Sequence, residues 1–137
     1  MDDRLFCKII RGEIPCQKVY EDDGVFAFLD IHPVNPGHTL IVPKKHVTDV
    51  VSSDDATLAS VVSAARKVSA AVMRGMGALG VNIEINNGAA AGQVIFHLHA
   101  HIIPRFEGDG FKHWPGKEYA LGEASEVAEK INAELSV

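Results

Sequence analysis

The sequence predicts an α+β fold with a mainly antiparallel sheet. Hydrophobic periodicity gives the order helix, three strands, helix, two strands. Asp22-Asp23-Gly24 between two apolar runs is a hairpin turn. Residues 53–73 form one long amphipathic stretch, the clearest helix in the chain. With 137 residues, the chain is large enough for a single domain with its own core. That domain divides into a body over about residues 5–108 and a tail with a helix over 109–137.

Leu5 to Arg11 reads as a short helix that shares Phe6, Ile9 and Ile10 on one face, stopped by Gly12 with Pro15 beyond. Lys18-Val19-Tyr20-Glu21 and Val25-Phe26-Ala27-Phe28-Leu29 are hairpin strands. His32-Pro33-Val34-Asn35-Pro36-Gly37 is a loop, because its two prolines forbid regular structure. Thr39 to Val42 is a third strand closed by Pro43. The long helix presents Leu58, Val61, Val62, Ala65, Val68 and Val72 on one side. Ser52 or Ser53 caps it, Asp54 and Asp55 sit near the positive end of its dipole, and Gly75 and Gly77 end it. Val81 to Ile85 is a fourth strand, Asn86 to Gly92 a small-residue loop, and Val94 to Pro104 a fifth strand. Residues 107–117 are irregular. A last helix runs from about Ala124 to Leu135, with Val127, Ile131 and Leu135 on one side.

The fifth strand carries the chemistry. In His97-Leu98-His99-Ala100-His101-Ile102-Ile103 histidines alternate with apolar residues. An extended chain puts Phe96, Leu98, Ala100 and Ile102 into a core and lines the opposite face with His97, His99 and His101, about 6.6 Å apart. Surface histidines in strict alternation with bulky apolar residues are not a coincidental pattern. A His-X-His pair on a strand can chelate zinc, but three along one strand span about 13 Å and do not all converge on one ion without distortion, which makes metal the weaker reading. The favoured reading is nucleophilic attack on phosphorus by neutral His99, with its neighbours carrying protons and charge. The preceding loop, Asn87-Gly88-Ala89-Ala90-Ala91-Gly92-Gln93, lets backbone amides approach a phosphate.

These residues resemble the histidine triad family of nucleotide-binding proteins, and most closely its Hint branch. Phe6-Cys7-Lys8-Ile9-Ile10, Gly12-Glu13-Ile14-Pro15 and Phe28-Leu29-Asp30-Ile31 look like the family's N-terminal signature. Pro36-Gly37-His38-Thr39-Leu40-Ile41-Val42-Pro43-Lys44-Lys45-His46 and Gly92-Gln93 extend the match over nearly the whole chain. The resemblance implies a five-stranded antiparallel sheet and a homodimer whose two sheets join. It implies hydrolysis of AMP-type phosphoramidates or related esters through a nucleotidyl-histidine. By that resemblance His99 is the nucleophile, His101 contacts phosphate, His38 supports the triad and His97 orients the strand. Asp30 receives the ribose hydroxyls, and Leu5, Phe6, Ile9, Phe28 and Ile31 line the base pocket. Asn86, Gly92 and Gln93 lie near the phosphate. On residue type alone, Phe6, Ile9 and Phe28 suit an ordinary core equally well, and Asp30 suits a turn.

Two departures from the family pattern matter. Bacterial relatives carry Cys-X-X-Cys near the N-terminus, which binds structural zinc with two histidines. Here Arg4 stands in place of the first cysteine, leaving Cys7, His46 and His97, so no zinc is expected and no other cofactor is implied. Relatives also have Ser after Gly-Gln, where a hydroxyl helps the leaving group depart, and this chain has Val94. Phe111-Lys112-His113-Trp114-Pro115-Gly116 is partly Hint-like, and Trp114 suits either packing or leaving-group selection. Two other readings remain: a dinucleoside polyphosphate hydrolase of the Fhit type, which Lys44-Lys45-His46 disfavours, and a non-catalytic purine-nucleotide-binding regulator.

Composition narrows the partners. Net charge is −5 with no basic block, so no nucleic acid is expected. The sequence shows no apolar run of bilayer length and no signal-type run after Met1-Asp2-Asp3-Arg4, so no membrane is expected and the location is cytoplasmic. Cys7 and Cys16 are expected to be free thiols.

Overall fold

The computed structural model describes residues 4–135. The acidic start Met1-Asp2-Asp3 lies outside them. The elements are α1 (Leu5–Ile10), β1 (Lys18–Glu21), β2 (Val25–Leu29), β3 (Thr39–Pro43), α2 (Asp55–Met76), β4 (Gly80–Glu84), β5 (Ala100–Arg105) and α3 (Glu123–Leu135). A single 3-10 turn, Ala89–Ala91, interrupts the loop before β5. The five strands form one antiparallel sheet, as the sequence predicts, and their order is β1-β2-β3-β5-β4. The β1–β2 hairpin closes on Asp22, whose Oδ1 accepts from the amides of Gly24 and Val25 at 2.8 and 2.9 Å.

Both faces of β2 and β3 are buried, so successive side chains feed two cores. Val25, Ala27 and Ile41 meet α2 through Val61, Ala65, Val68 and Val72. Phe26, Phe28, Leu40 and Val42 meet α1 through Phe6 and Ile9. Register then fixes the site. Phe28 lies opposite Leu40, Leu40 opposite His101, and His101 opposite Glu84, so these four form one row across the sheet on the α1 side.

Several expectations change in detail. Helix α2 starts later and ends later than the sequence suggests. Its cap is Asp54, not Ser52 or Ser53, and Asp54 Oδ1 accepts from the Thr57 amide at 2.7 Å. Gly75 is absorbed into the helix, and Gly77 ends it in the left-handed conformation at φ 66°. Val62 is exposed, while Ala64, read as outside the stripe, is buried. By length and composition α2 could cross a bilayer, contrary to the sequence reading, but Val61, Ala65, Val68 and Val72 are buried against the sheet. Strand β3 continues through Pro43, and β4 spans Gly80–Glu84 rather than Val81–Ile85.

The largest correction concerns the fifth strand. Ladder pairing begins at Ala100, because residues 95–97 bend and the Leu98 amide turns to the carbonyl of Val47 at 2.7 Å. Leu98, Ala100 and Ile102 are core as expected, but Phe96 is not and is 38% exposed. The bend also takes His97 away from the row that holds His101. Both cysteines are free.

Candidate active site

A cleft of about 490 Å3 opens between α1 and the sheet, large enough for a small organic ligand. Its walls include the predicted residues Leu5, Phe6, Ile9, Phe28, Asp30, Ile31, Asn86, Gly92, His99 and His101. Phe6 and Phe28 are each 4% exposed and meet edge to face at 5.6 Å between ring centroids. Each therefore serves the core and the cleft at once. Ile31 forms the open rim. Residues that sequence reasoning did not assign also line the cleft, among them Ile14, Pro15, Cys16 and Leu40.

Three histidines of the site, His38, His99 and His101, are read from their fixed partners. The Val34 backbone amide can only donate, and it bonds His38 Nδ1 at 3.0 Å. Neutral His38 therefore carries its proton on Nε2 and donates it to His101 Nδ1 at 2.9 Å. His101 in turn holds its own proton on Nε2. The backbone carbonyl of His97 can only accept, and it lies 2.7 Å from His99 Nδ1. His99 thus donates through Nδ1, and its Nε2 is left as a bare lone pair. These assignments follow from the donor or acceptor character of the backbone groups.

Burial is the first cause that pushes the pKa of His99, His101, His97 and His38 below the ordinary imidazole value. The carbonyl of His97 and the nearby charge of Asp30 oppose this at His99, and the charges of Asp30 and Glu84 oppose it at His38 and His101. These histidines are thereby biased toward the neutral form, as a nitrogen nucleophile requires. Phe6 packs edge-on against His99 at 5.1 Å between centroids and against His97 at 5.7 Å.

Asp30 does two jobs. Its Oδ1 accepts from the His32 amide at 2.9 Å and closes the turn, while Oδ2 lies 3.7 Å from His38 Nε2 on the cleft wall. The small-residue loop differs from expectation. The amides of Gly88, Ala91, Gly92 and Gln93 all bond within residues 88–93, so these four do not face a ligand. Gln93 is buried with its side chain fully engaged, accepting from Gly88 and donating to the carbonyls of Thr48 and Ile95. It shapes the loop instead of reaching the cleft. Val94 lines the cleft and is mostly exposed.

His97 belongs to a second cluster. Its Nε2 donates to the Pro43 carbonyl at 2.8 Å, which leaves Nδ1 as an acceptor facing His46 Nδ1 at 3.1 Å and Cys7 Sγ at 3.8 Å. Cys7 Sγ lies 3.6 Å from His46 Nδ1. The three donor atoms lie within 4.8 Å of one another, with His46 exposed and His97 buried. They offer three protein ligands where a closed structural zinc site takes four, so the residues present do not fit that site.

A family model for the HIT domain matches residues 11–108. The adenylylsulfatase HINT3 of Arabidopsis thaliana is 48% identical over 108 residues, covering 79% of this chain and 55% of that protein. A crystal structure from Streptococcus mutans UA159 superposes with a TM-score of 0.92 at 40% identity, covering 98% of this chain and 87% of its own. A zinc-bound histidine triad protein from Mycobacterium smegmatis superposes with a TM-score of 0.76 at 33% identity, covering 94% and 96%. With the triad, the fourth histidine and the fold in agreement, the chain is a Hint-like member of the histidine triad family of nucleotide-binding proteins.

Proposed function

We propose that this protein hydrolyses AMP-type phosphoramidates or related nucleoside monophosphate esters through a nucleotidyl-histidine. One observation carries the reading: His99 Nε2 is an unprotonated nitrogen in the same cleft as the Nε2–H of His101. In this reading the base enters between Leu5, Phe6, Ile9, Phe28 and Ile31, and the ribose hydroxyls donate to Asp30. His99 Nε2 attacks the α-phosphorus, a nitrogen–phosphorus bond forms, and the bond to the leaving amine or phosphate breaks with its electron pair, the amine taking up a proton from solvent. Water then attacks phosphorus, the nitrogen–phosphorus bond breaks with its pair returning to His99 Nε2, and AMP is released with the water's proton passing to solvent. His101, backed by His38, donates to a phosphoryl oxygen, and the Asn86 amide lies on the cleft wall nearby.

The protein works as a homodimer in which β4, an edge strand with an exposed Ile83, joins the two sheets. The Cys7–His46–His97 cluster is held by hydrogen bonds and needs no metal. A cytoplasmic location and a single domain complete the reading.

The test is AMP release from adenosine phosphoramidate, and separately from diadenosine triphosphate, by wild type and His99→Ala. Turnover of the phosphoramidate that falls by more than about a thousandfold in His99→Ala upholds the covalent mechanism. A preference for the dinucleotide moves the protein to the Fhit-type activity. AMP binding without turnover leaves a nucleotide-binding regulator.

A further inference from the structure

The proposed phosphate position has no cation beside it. Among the described residues no lysine or arginine lines the cleft, and its one carboxylate is Asp30. Two carboxylates, Asp30 and Glu84, act on His38 and His101. Sites that accept a polyphosphate set lysine, arginine or a metal ion against its charge. This one sets negative charge on two sides of a neutral histidine pair.

Asp30 has its task in the ribose hydroxyls, whereas Glu84 has none. Glu84 is half-buried, and among the described residues no hydrogen bond or ion pair holds it. Elsewhere in the chain Glu21 pairs with Lys44, Asp54 with Lys45 and Asp109 with Arg105. A partly desolvated carboxylate without a counter-charge is costly, and a cation from a ligand relieves that cost. Its place in the row matters. Phe28, Leu40, His101 and Glu84 lie side by side across the sheet. With the base against Phe28 and the phosphate at His101, Glu84 is the next position, one strand spacing of about 4.8 Å farther on. The nucleoside fills the cleft behind, so the leaving group extends toward Glu84. There is room for it: Asn86 lines both the cleft and a second cavity of about 610 Å3. Among the described residues that line this second cavity, Glu84 alone is charged.

We propose that Glu84 reads the leaving group, and that the substrates are nucleoside phosphoramidates or esters whose leaving group carries a positive charge. This rests on the hydrolase reading above and narrows its substrate class; the bonds made and broken are the ones given there. The same carboxylate repels a leaving group that is itself a phosphate, which makes dinucleoside polyphosphates poor substrates. Strand pairing engages backbone groups, so Glu84 keeps its face of the sheet when β4 joins a second copy.

The test is kcat/KM of the full-length chain on three adenosine phosphoranilidates that differ at the para position of the leaving aniline. Aminomethyl makes the leaving group cationic at neutral pH, ethyl leaves it neutral and carboxymethyl makes it anionic. A methylene separates each charge from the ring, so the leaving nitrogens are similar in basicity. Wild type is expected to prefer cation to neutral to anion, with about tenfold between the extremes, and to lose most of that ratio in about 0.5 M salt. Glu84→Gln is expected to bring the ratio to within about twofold of one, and Glu84→Lys to reverse it, whatever either does to the absolute rates. A wild-type ratio near one, or a ratio that Glu84→Gln leaves intact, overturns the assignment and leaves the hydrolase reading standing. Absence of turnover on all three substrates overturns both.

Discussion

His99 Nδ1 lies 2.7 Å from the carbonyl oxygen of His97, two residues earlier in the chain. The backbone thereby holds the proton of the proposed nucleophile on Nδ1 and leaves Nε2 bare. No side chain is needed for this, so no single side-chain substitution removes it except at His99 itself.

His38 is different, because its side chain sets the protonation of His101. His38→Ala frees His101 Nδ1 to take the proton and point a lone pair at the phosphate. The expected result is a fall in kcat of about a hundredfold, with a much smaller change in KM. Steady-state kinetics on adenosine phosphoramidate checks it. A change in KM alone would count against the hydrogen-bonded pair.

Stability should depend on pH in a defined direction. His38, His97, His99 and His101 have folded-state pKa values below the ordinary value of 6.5, chiefly through burial. As pH falls through the unfolded value, the unfolded chain takes up protons that the folded chain refuses, so stability falls. The loss continues down to the folded-state values and levels off below them. Urea midpoints should be nearly flat above pH 7.5 and decline as pH falls through 6.5, and turnover should decline only at lower pH, where the nucleophile protonates.

Val94 puts an apolar side chain on the cleft wall where a hydroxyl would supply a proton. Leaving groups that depart as stable anions should be tolerated, and basic alkylamines should suffer. Val94→Ser is expected to raise kcat for alkylamine phosphoramidates by about tenfold or more, with little effect on mixed anhydrides. Comparing the two substrates on both proteins tests the assignment.

Among the described residues the Cys7–His46–His97 cluster has no fourth ligand, and metal analysis of protein purified without chelator is expected to find substoichiometric zinc. Arg4→Cys should supply the missing thiolate and bind one zinc per chain. With zinc at about a hundred times its dissociation constant, that variant should gain about 2.7 kcal/mol over its metal-free form. One tightly held zinc in wild type would refute this account.

The sheet was legible because its strands are short apolar runs bounded by turn residues, and Asp22-Asp23-Gly24 closes the first hairpin. The paired faces of β2 and β3 explain why Leu40 escaped notice as a cleft residue: a strand buried on both sides shows no polar face to mark its function. Period-two alternation at residues 96–101 suggested more strand than there is. Alternation reports side-chain direction, whereas the Leu98 amide found its partner in Val47, outside the sheet. Gln93 was misleading for another reason. Its amide is a polar group beside a small-residue loop, but the backbone groups of Gly88, Thr48 and Ile95 hold it.

The early end of β5 has a consequence for how this protein can be improved. Had ladder pairing continued back to His97, its carbonyl would be claimed by the neighbouring strand and lost to His99. A redesign that zipped the sheet further would gain backbone hydrogen bonds and lose the orientation of the nucleophile. At this point regularity and reactivity compete for one oxygen atom, and selection for thermal resistance alone should drift toward an inert, well-folded nucleotide holder.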